Sequence, residues 1–258
     1  MKIAIQTNVW SDQLHKSQLP SVLAEIARAG YQGFETGAHR VDLEQPAAFR
    51  KLADQHGLQV AGIHTHGELY NPQAMLEAQG HFRKIAHFAA EAGADCILFS
   101  GKVKEDKTED DLQNECQALE HLGGICASHN LAFCYHNHYW EIEHNLRELR
   151  YLCDHTNPAL VSLALDVGWV HRAGGSPSEV TRLLLDRIGY FHFKDFRVKN
   201  FHEDTWTELG DGYVNFPAIL ETLQGRWEGW IAVERDETLP NAFESARASR
   251  AYLKSILG

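Results

Sequence analysis

The segment "QVAGIHTHGELYNPQAMLEAQGHFRKIAHFAAEAGADCILFSG", Gln59 to Gly101, decides the architecture. It opens on a short apolar run, "QVAGIHT" (59–65), and closes on another, "CILFSG" (96–101). Runs of this length, rich in Val, Ile, Leu and Phe, read as strands. Between them, 71–93 has a helical pattern that ends on Gly93. The same alternation recurs along the chain. Further apolar runs lie at 2–7, 33–37, 131–138, 161–168, 190–195 and 230–236. Helix-like stretches include 20–30, with a proline at its start and a glycine at its end, the asymmetry expected of a helix. Others are 110–129, interrupted by Gly123-Gly124, and the C-terminal 242–258. Eight strands alternating with helices over 258 residues predict an α/β fold, a (β/α)8 TIM barrel forming one domain over 1–258. The longest excursion is 196–215, a loop after strand 7 with turn signals at Gly210-Asp211-Gly212. Its length marks it as functional, a lid or subunit contact whose aromatic residues (Phe196, Phe201, Trp206, Tyr213) also suit a homo-oligomer.

Composition narrows the function classes. With 44% hydrophobic residues the chain can bury a full core. No apolar run approaches the roughly 18 residues of a membrane helix, and the N-terminus reads as a first strand, not a signal peptide. A cytoplasmic enzyme is expected. The formal charge of −11, from 24 basic and 35 acidic residues, argues against gripping nucleic acid or an anionic membrane. Five cysteines without a C-x-x-C pair predict reduced, mostly buried thiols.

In such a barrel the active site lies at the C-terminal ends of the strands. Those ends carry Glu35, His64 and His66, His136 and His138 with Glu141 just beyond, Asp166, His192 with Lys194-Asp195, and Glu234 with Asp236. Residues two apart on a strand share a face, so His64 pairs with His66 and His136 with His138. Taken singly, a strand histidine is ordinarily a packed residue, and a carboxylate after a strand is ordinarily a helix cap. Taken together, imidazoles and carboxylates converging on one mouth would repel and desolvate each other without a cation. Their donor set, without cysteine, suits Mn2+, Co2+, Mg2+, Fe2+ or Zn2+.

The segments "GYQGFETG", "CYHNHYWEIE", "LALDVGWVHRAGG", "YFHFKDFR", "ELGDGYVNF" and "WIAVERDE" resemble the xylose-isomerase-like TIM-barrel superfamily in its sugar phosphate isomerase/epimerase branch. The resemblance spans strands 2 to 8. It implies one divalent ion, manganese among the candidates, held by Asp166, His192, Glu234 and a residue after strand 5. For that fourth position the sequence offers Glu141, with His136 or His138 as the alternative. It further implies proton abstraction next to a carbonyl, with a metal-stabilised enediolate. Glu141 and Glu234 are then the candidate proton carriers, and His138 and Lys194 assist. Glu35, His64, His66, His136, Trp169 and Arg197 are expected to contact a small sugar or polyol. The expected activity is isomerisation or epimerisation of a keto-sugar. The alternatives are dehydration of a keto-inositol or keto-sugar and a non-catalytic sugar-binding barrel. An apurinic-site endonuclease, a distant relative on this fold, is disfavoured by the charge.

Overall fold

The computed structural model describes residues 1–200 and 203–257, so Phe201 lies outside the described residues. Its strands are β1 (Lys2–Gln6), β2 (Gly33–Gly37), β3 (Gln59–Gly67), β4 (Cys96–Gly101), β5 (Ala132–His136), β6 (Ser162–Asp166), β7 (Ile188–Phe193), β8 (Asp195–Asn200), β9 (Glu203–Thr207) and β10 (Trp230–Val233). All but β8 and β9 close into a parallel barrel in the ring order β1-β10-β7-β6-β5-β4-β3-β2. The helices are α1 (Asp12–Ala29), α2 (Pro46–Gln55), α3 (Pro72–Glu91), α4 (Glu109–Ser128), α5 (Glu143–His155), α6 (Val167–Arg172), α7 (Pro177–Leu184), α8 (Phe216–Leu223) and α9 (Ala242–Leu257). Among the described residues, no helix is long and apolar enough to cross a membrane.

Strand alternation builds two cores. Outward-facing Ile3, Ile5, Phe34, Ile97, Phe133, Leu163, Phe191 and Ile231 pack into one cluster with the helices. Burying each such side chain stabilises the fold by roughly 1.5–3 kcal/mol. The inward faces carry a second, smaller cluster that includes Ala4, Ala61, Leu98, Cys134, Ala164 and Ala232. Small residues dominate because eight tilted strands leave just enough interior for side chains to fill. Glycine serves the same end at Gly62, where a Cβ would collide with Leu98. Further up each strand the inward positions change character. Gln6 pairs in register with Glu35, His66 with Ser100, Ser100 with His136, and Asp166 with His192. The apolar filling therefore gives way to a polar layer at the C-terminal mouth.

Three sequence expectations change. The first helix starts at Asp12 rather than residue 20, because two helical pieces join across a kink at Gln18 (φ −142°). Pro20 sits near the start of the second piece, where a missing N–H costs little. Gly123-Gly124 does not interrupt α4, since a Cβ on Gly123 would strike the backbone of Leu160 and glycine permits that close approach. The excursion after β7 contains an antiparallel hairpin, β8 with β9, rather than plain loop. Asp195 anchors its return. The buried carboxylate accepts backbone N–H bonds from Gly210 (3.0 Å), Gly212 (3.0 Å) and Val214 (3.1 Å). Gly212 must be glycine there, because a Cβ would overlap the Asp195 carboxylate.

Candidate active site

Four side chains from four strand ends converge at the mouth: His136 from β5, Asp166 from β6, His192 from β7 and Glu234 just after β10. Their ligand-type atoms lie within 4.8 Å of one another. His192 Nδ1 stands 2.6 Å from Glu234 Oε2. His136 Nε2 is 3.4 Å from Asp166 Oδ2 and 3.8 Å from Glu234 Oε2. These same four atoms are buried and are satisfied by no well-formed hydrogen bond, although the Lys194 ammonium approaches two of them, Asp166 Oδ2 and Glu234 Oε2. Buried polar atoms are rarely left so. Four of them facing one point, with nitrogen and oxygen donors and no sulfur, fit a divalent ion of the Mn2+ to Zn2+ series.

Glu141 stands elsewhere. It is fully buried and accepts hydrogen bonds from Tyr135 Oη (2.7 Å) and the His138 backbone N–H (2.8 Å). The structure thus brings His136, not Glu141, into the group, correcting the preferred sequence assignment. Physically, β5 ends at His136, and the chain then bends so that Glu141 braces the loop from beneath. Burial holds its carboxyl above the ordinary range despite these bonds. Glu141→Gln is therefore expected to keep the metal site while destabilising the fold by about 1–3 kcal/mol, because with the amide carbonyl on the His138 N–H its NH2 faces Tyr135 Oη, which must turn to accept and leave its own buried proton unpaired. Metal titration beside thermal unfolding checks both halves.

Further polar contacts surround the four. Asp166 Oδ1 accepts from the Trp169 backbone N–H at 2.9 Å, capping α6. Asn8 Nδ2 donates to Glu234 Oε1 at 3.2 Å. The Lys194 ammonium lies 3.0 Å from both Asp166 Oδ2 and Glu234 Oε2, and it hydrogen-bonds Asp236 Oδ2 at 2.8 Å. Burial lowers its pKa, but Asp166, Asp236 and Glu234 outweigh that and raise it well above the ordinary range, so it stays charged. Trp169 and Trp206 flank it, with ring centroids 5.0 and 5.1 Å from Nζ. Trp206 arrives on β9, so the hairpin touches the mouth. Burial, then the nearby His136 and Lys194, push His138 down to about 2, keeping its ring neutral. That ring stacks on Trp140 at 4.3 Å.

Beside the cluster opens a cavity of about 480 Å³, lined among others by Gln6, Asn8, His39, His64, His66, His136, His138, Trp140, Glu234 and Asp236. Of the expected substrate contacts, His64, His66 and His136 line it. Glu35 is fully buried below it. Trp169 packs behind His138. Arg197 is turned away on β8, bonded to the Asp211 carbonyl. Sequence reasoning gave no role to several lining residues, Gln6, Asn8, His39 and Asp236 among them. Asp236 looked like an ordinary loop charge, and His39 follows β2 on a short 3-10 turn whose pattern gave no signal.

A family model of the xylose isomerase-like TIM barrel matches residues 23–256. The chain belongs to the xylose isomerase-like TIM barrel family. Among members of this family with curated names, it is similar to the inosose dehydratase of Bacillus licheniformis, 28% identical over 91% of this chain and 87% of that protein. It is likewise similar to the inosose dehydratase of Salmonella typhimurium, 25% identical over 92% of this chain and 88% of that one. Among solved structures, D-allulose 3-epimerase from Methylomonas sp. superposes with a TM-score of 0.79 at 17% identity, covering 99% of this chain and 98% of its own. A sugar phosphate isomerase/epimerase from Parabacteroides distasonis gives 0.79 at 23% identity, covering 98% and 94%. Structural likeness at these identities speaks to the xylose isomerase-like fold alone.

Proposed function

We propose that this chain is a divalent-metal-dependent dehydratase of a small keto-polyol of the inosose kind. One observation carries the reading: the two walls of the cavity differ in chemistry. Among the described residues lining it, the carboxylates are Glu234 and Asp236, both just beyond β10. Across the ring stand β3 to β5, which contribute no carboxylate but four imidazoles, His64, His66, His136 and, just beyond β5, His138, with Ser100 and Lys102 between them. Exchanging a proton between two faces of one carbon favours a matched pair of carriers. Removing a proton and expelling a hydroxyl favours one base opposite a wall of hydrogen-bond donors. The similarity to inosose dehydratases over nine-tenths of the chain supports the same choice.

A divalent ion held by His136, Asp166, His192 and Glu234 would act as a Lewis acid on the substrate carbonyl and its neighbouring hydroxyl. Glu234 belongs to that cluster, which leaves Asp236 as the lining carboxylate free to take the α-proton. The C–H electron pair then enters the enediolate. Asp236, steadied by Lys194 at 2.8 Å, can return the same proton to the β-hydroxyl as its C–O bond breaks. Water leaves, and the electrons remain in the new double bond. His64, His66 and His138 orient the ring hydroxyls, and Trp140 supplies an apolar wall.

The isomerase or epimerase expected from sequence shares the first step and differs in the fate of the proton. Incubation in D2O with a panel of keto-inositols and keto-sugars separates the readings. An ultraviolet-absorbing enone with loss of one oxygen is the expected result. A deuterated epimer or isomer with every oxygen retained would replace dehydration by the first reading. No deuterium exchange on any substrate would favour a non-catalytic sugar-binding barrel.

A further inference from the structure

A second group resembles the first in composition: Glu35, His64 and His192 also hold ligand-type atoms within 4.8 Å of one another. Its bonding is different. Glu35 Oε2 meets His192 Nε2 at 2.7 Å, and Glu35 Oε1 meets His64 Nδ1 at 3.0 Å. His64 Nε2 meets Ser100 Oγ at 2.8 Å, and Ser100 Oγ meets His136 Nδ1 at 3.3 Å. Glu35 and His64 have partners on every side-chain polar atom and His192 Nε2 has Glu35, whereas the four facing atoms of the first group, His192 Nδ1 among them, are held by no such bond. Three residues therefore close into a hydrogen-bond chain here, whereas the four of the first group leave their facing atoms to a cation.

The chain runs from one carboxylate to both histidines of the metal cluster, and its direction is fixed by proton counting. Glu35 is fully buried, and each of its two oxygens faces an imidazole nitrogen, His192 Nε2 and His64 Nδ1, the pairing of one carboxylate acceptor with two N–H donors. An ionised carboxylate only accepts. His192 must then carry its proton on Nε2, and a neutral His64 must carry its proton on Nδ1. That leaves His64 Nε2 as an acceptor, so Ser100 gives its hydroxyl proton to it. Ser100 Oγ in turn accepts from His136 Nδ1–H. The proton each histidine gives to this chain sits on the side away from the cluster, so His192 Nδ1 and His136 Nε2 are the nitrogens that would offer lone pairs to an ion.

We infer that Glu35, His64 and Ser100 are positioning residues that set the tautomers of both histidine ligands from a single buried carboxylate. This rests on the reading of the cluster as a metal site. Partners of ligating histidines typically change metal affinity 10- to 100-fold. Ser100→Ala should therefore weaken Zn2+ binding about 10- to 100-fold, and Ser100→Thr, which keeps the hydroxyl, should restore it. Glu35→Gln should weaken it in either amide orientation. One acceptor and one donor replace two acceptors, so one histidine must reverse its proton.

Imidazole 15N spectra provide a readout independent of activity. In the metal-free protein His64 should be the Nδ1–H tautomer. In the Zn2+ form, His136 should be protonated on Nδ1 and His192 on Nε2. His64 as the Nε2–H form, or Zn2+ affinity unchanged in Ser100→Ala, would overturn the inference. If the wild-type protein bound no Zn2+, Mn2+ or Co2+, the metal reading would fall. The His64 tautomer, compared between wild type and Glu35→Gln, would still decide whether the chain exists and runs in this direction.

Discussion

Glu234→Ala and Asp166→Ala should each abolish both metal retention and turnover, the activity falling by a factor on the order of 10⁶ or more, since even modest enzymes accelerate their reactions by that much. Both residues contribute a buried oxygen to the cluster, and the neighbour they share, the Lys194 ammonium, has no lone pair with which to replace either as a ligand. The fold should survive. Asp166 caps the short helix α6, and losing a cap costs about 1 kcal/mol, well within the roughly 5–15 kcal/mol of a stable domain. Glu234 lies one residue beyond β10, where the barrel filling has already ended. Elemental analysis beside circular dichroism tests the pair. Metal content equal to wild type in both folded variants would remove the site.

A second pair of substitutions separates holding the ion from moving the proton. Asp236→Asn should keep the metal and slow turnover by roughly 10² to 10⁴, the usual worth of a positioned acid or base. An amide accepts the hydrogen bond from Lys194 but takes no proton from carbon. His138→Ala should also keep the metal, because its ring lies outside the four-residue cluster and stacks on Trp140. A loss of similar size there would mark hydroxyl orientation. Single-turnover rates at saturating metal are the measurement. Full activity in Asp236→Asn would return the base role to Glu234, and metal loss in His138→Ala would move a ligand to that residue.

The barrel was legible because its signal is redundant: each strand–helix unit repeats the same alternation, and one misjudged helix start at Asp12 changes nothing in the ring. Asp166, His192 and Glu234 were legible for a related reason. Each sits at a strand end, where period-two alternation fixes the face. The choice between Glu141 and His136 depended on where β5 stops and how "NHYWE" bends, and strand periodicity carries no information past the last paired residue. Asp236 was hidden in the same way, beyond β10. The Glu35 chain was invisible for another cause. Its members come from β2, β3, β4, β5 and β7, and their meeting depends on inter-strand register, including the irregularity between Phe34 and Glu35.

The polar layer at the mouth also has a thermodynamic meaning for the whole domain. The four ligand groups come together only in the folded barrel, so ion binding and folding are coupled. A ligand present at about 100 times its Kd stabilises the native state by roughly 2.7 kcal/mol. Chelation should therefore lower the melting temperature of the wild-type barrel. In Glu234→Ala one of the four ligand groups is gone, so chelation should leave the melting temperature nearly unchanged. The heat resistance of the wild-type barrel would then track the ion bound at its mouth.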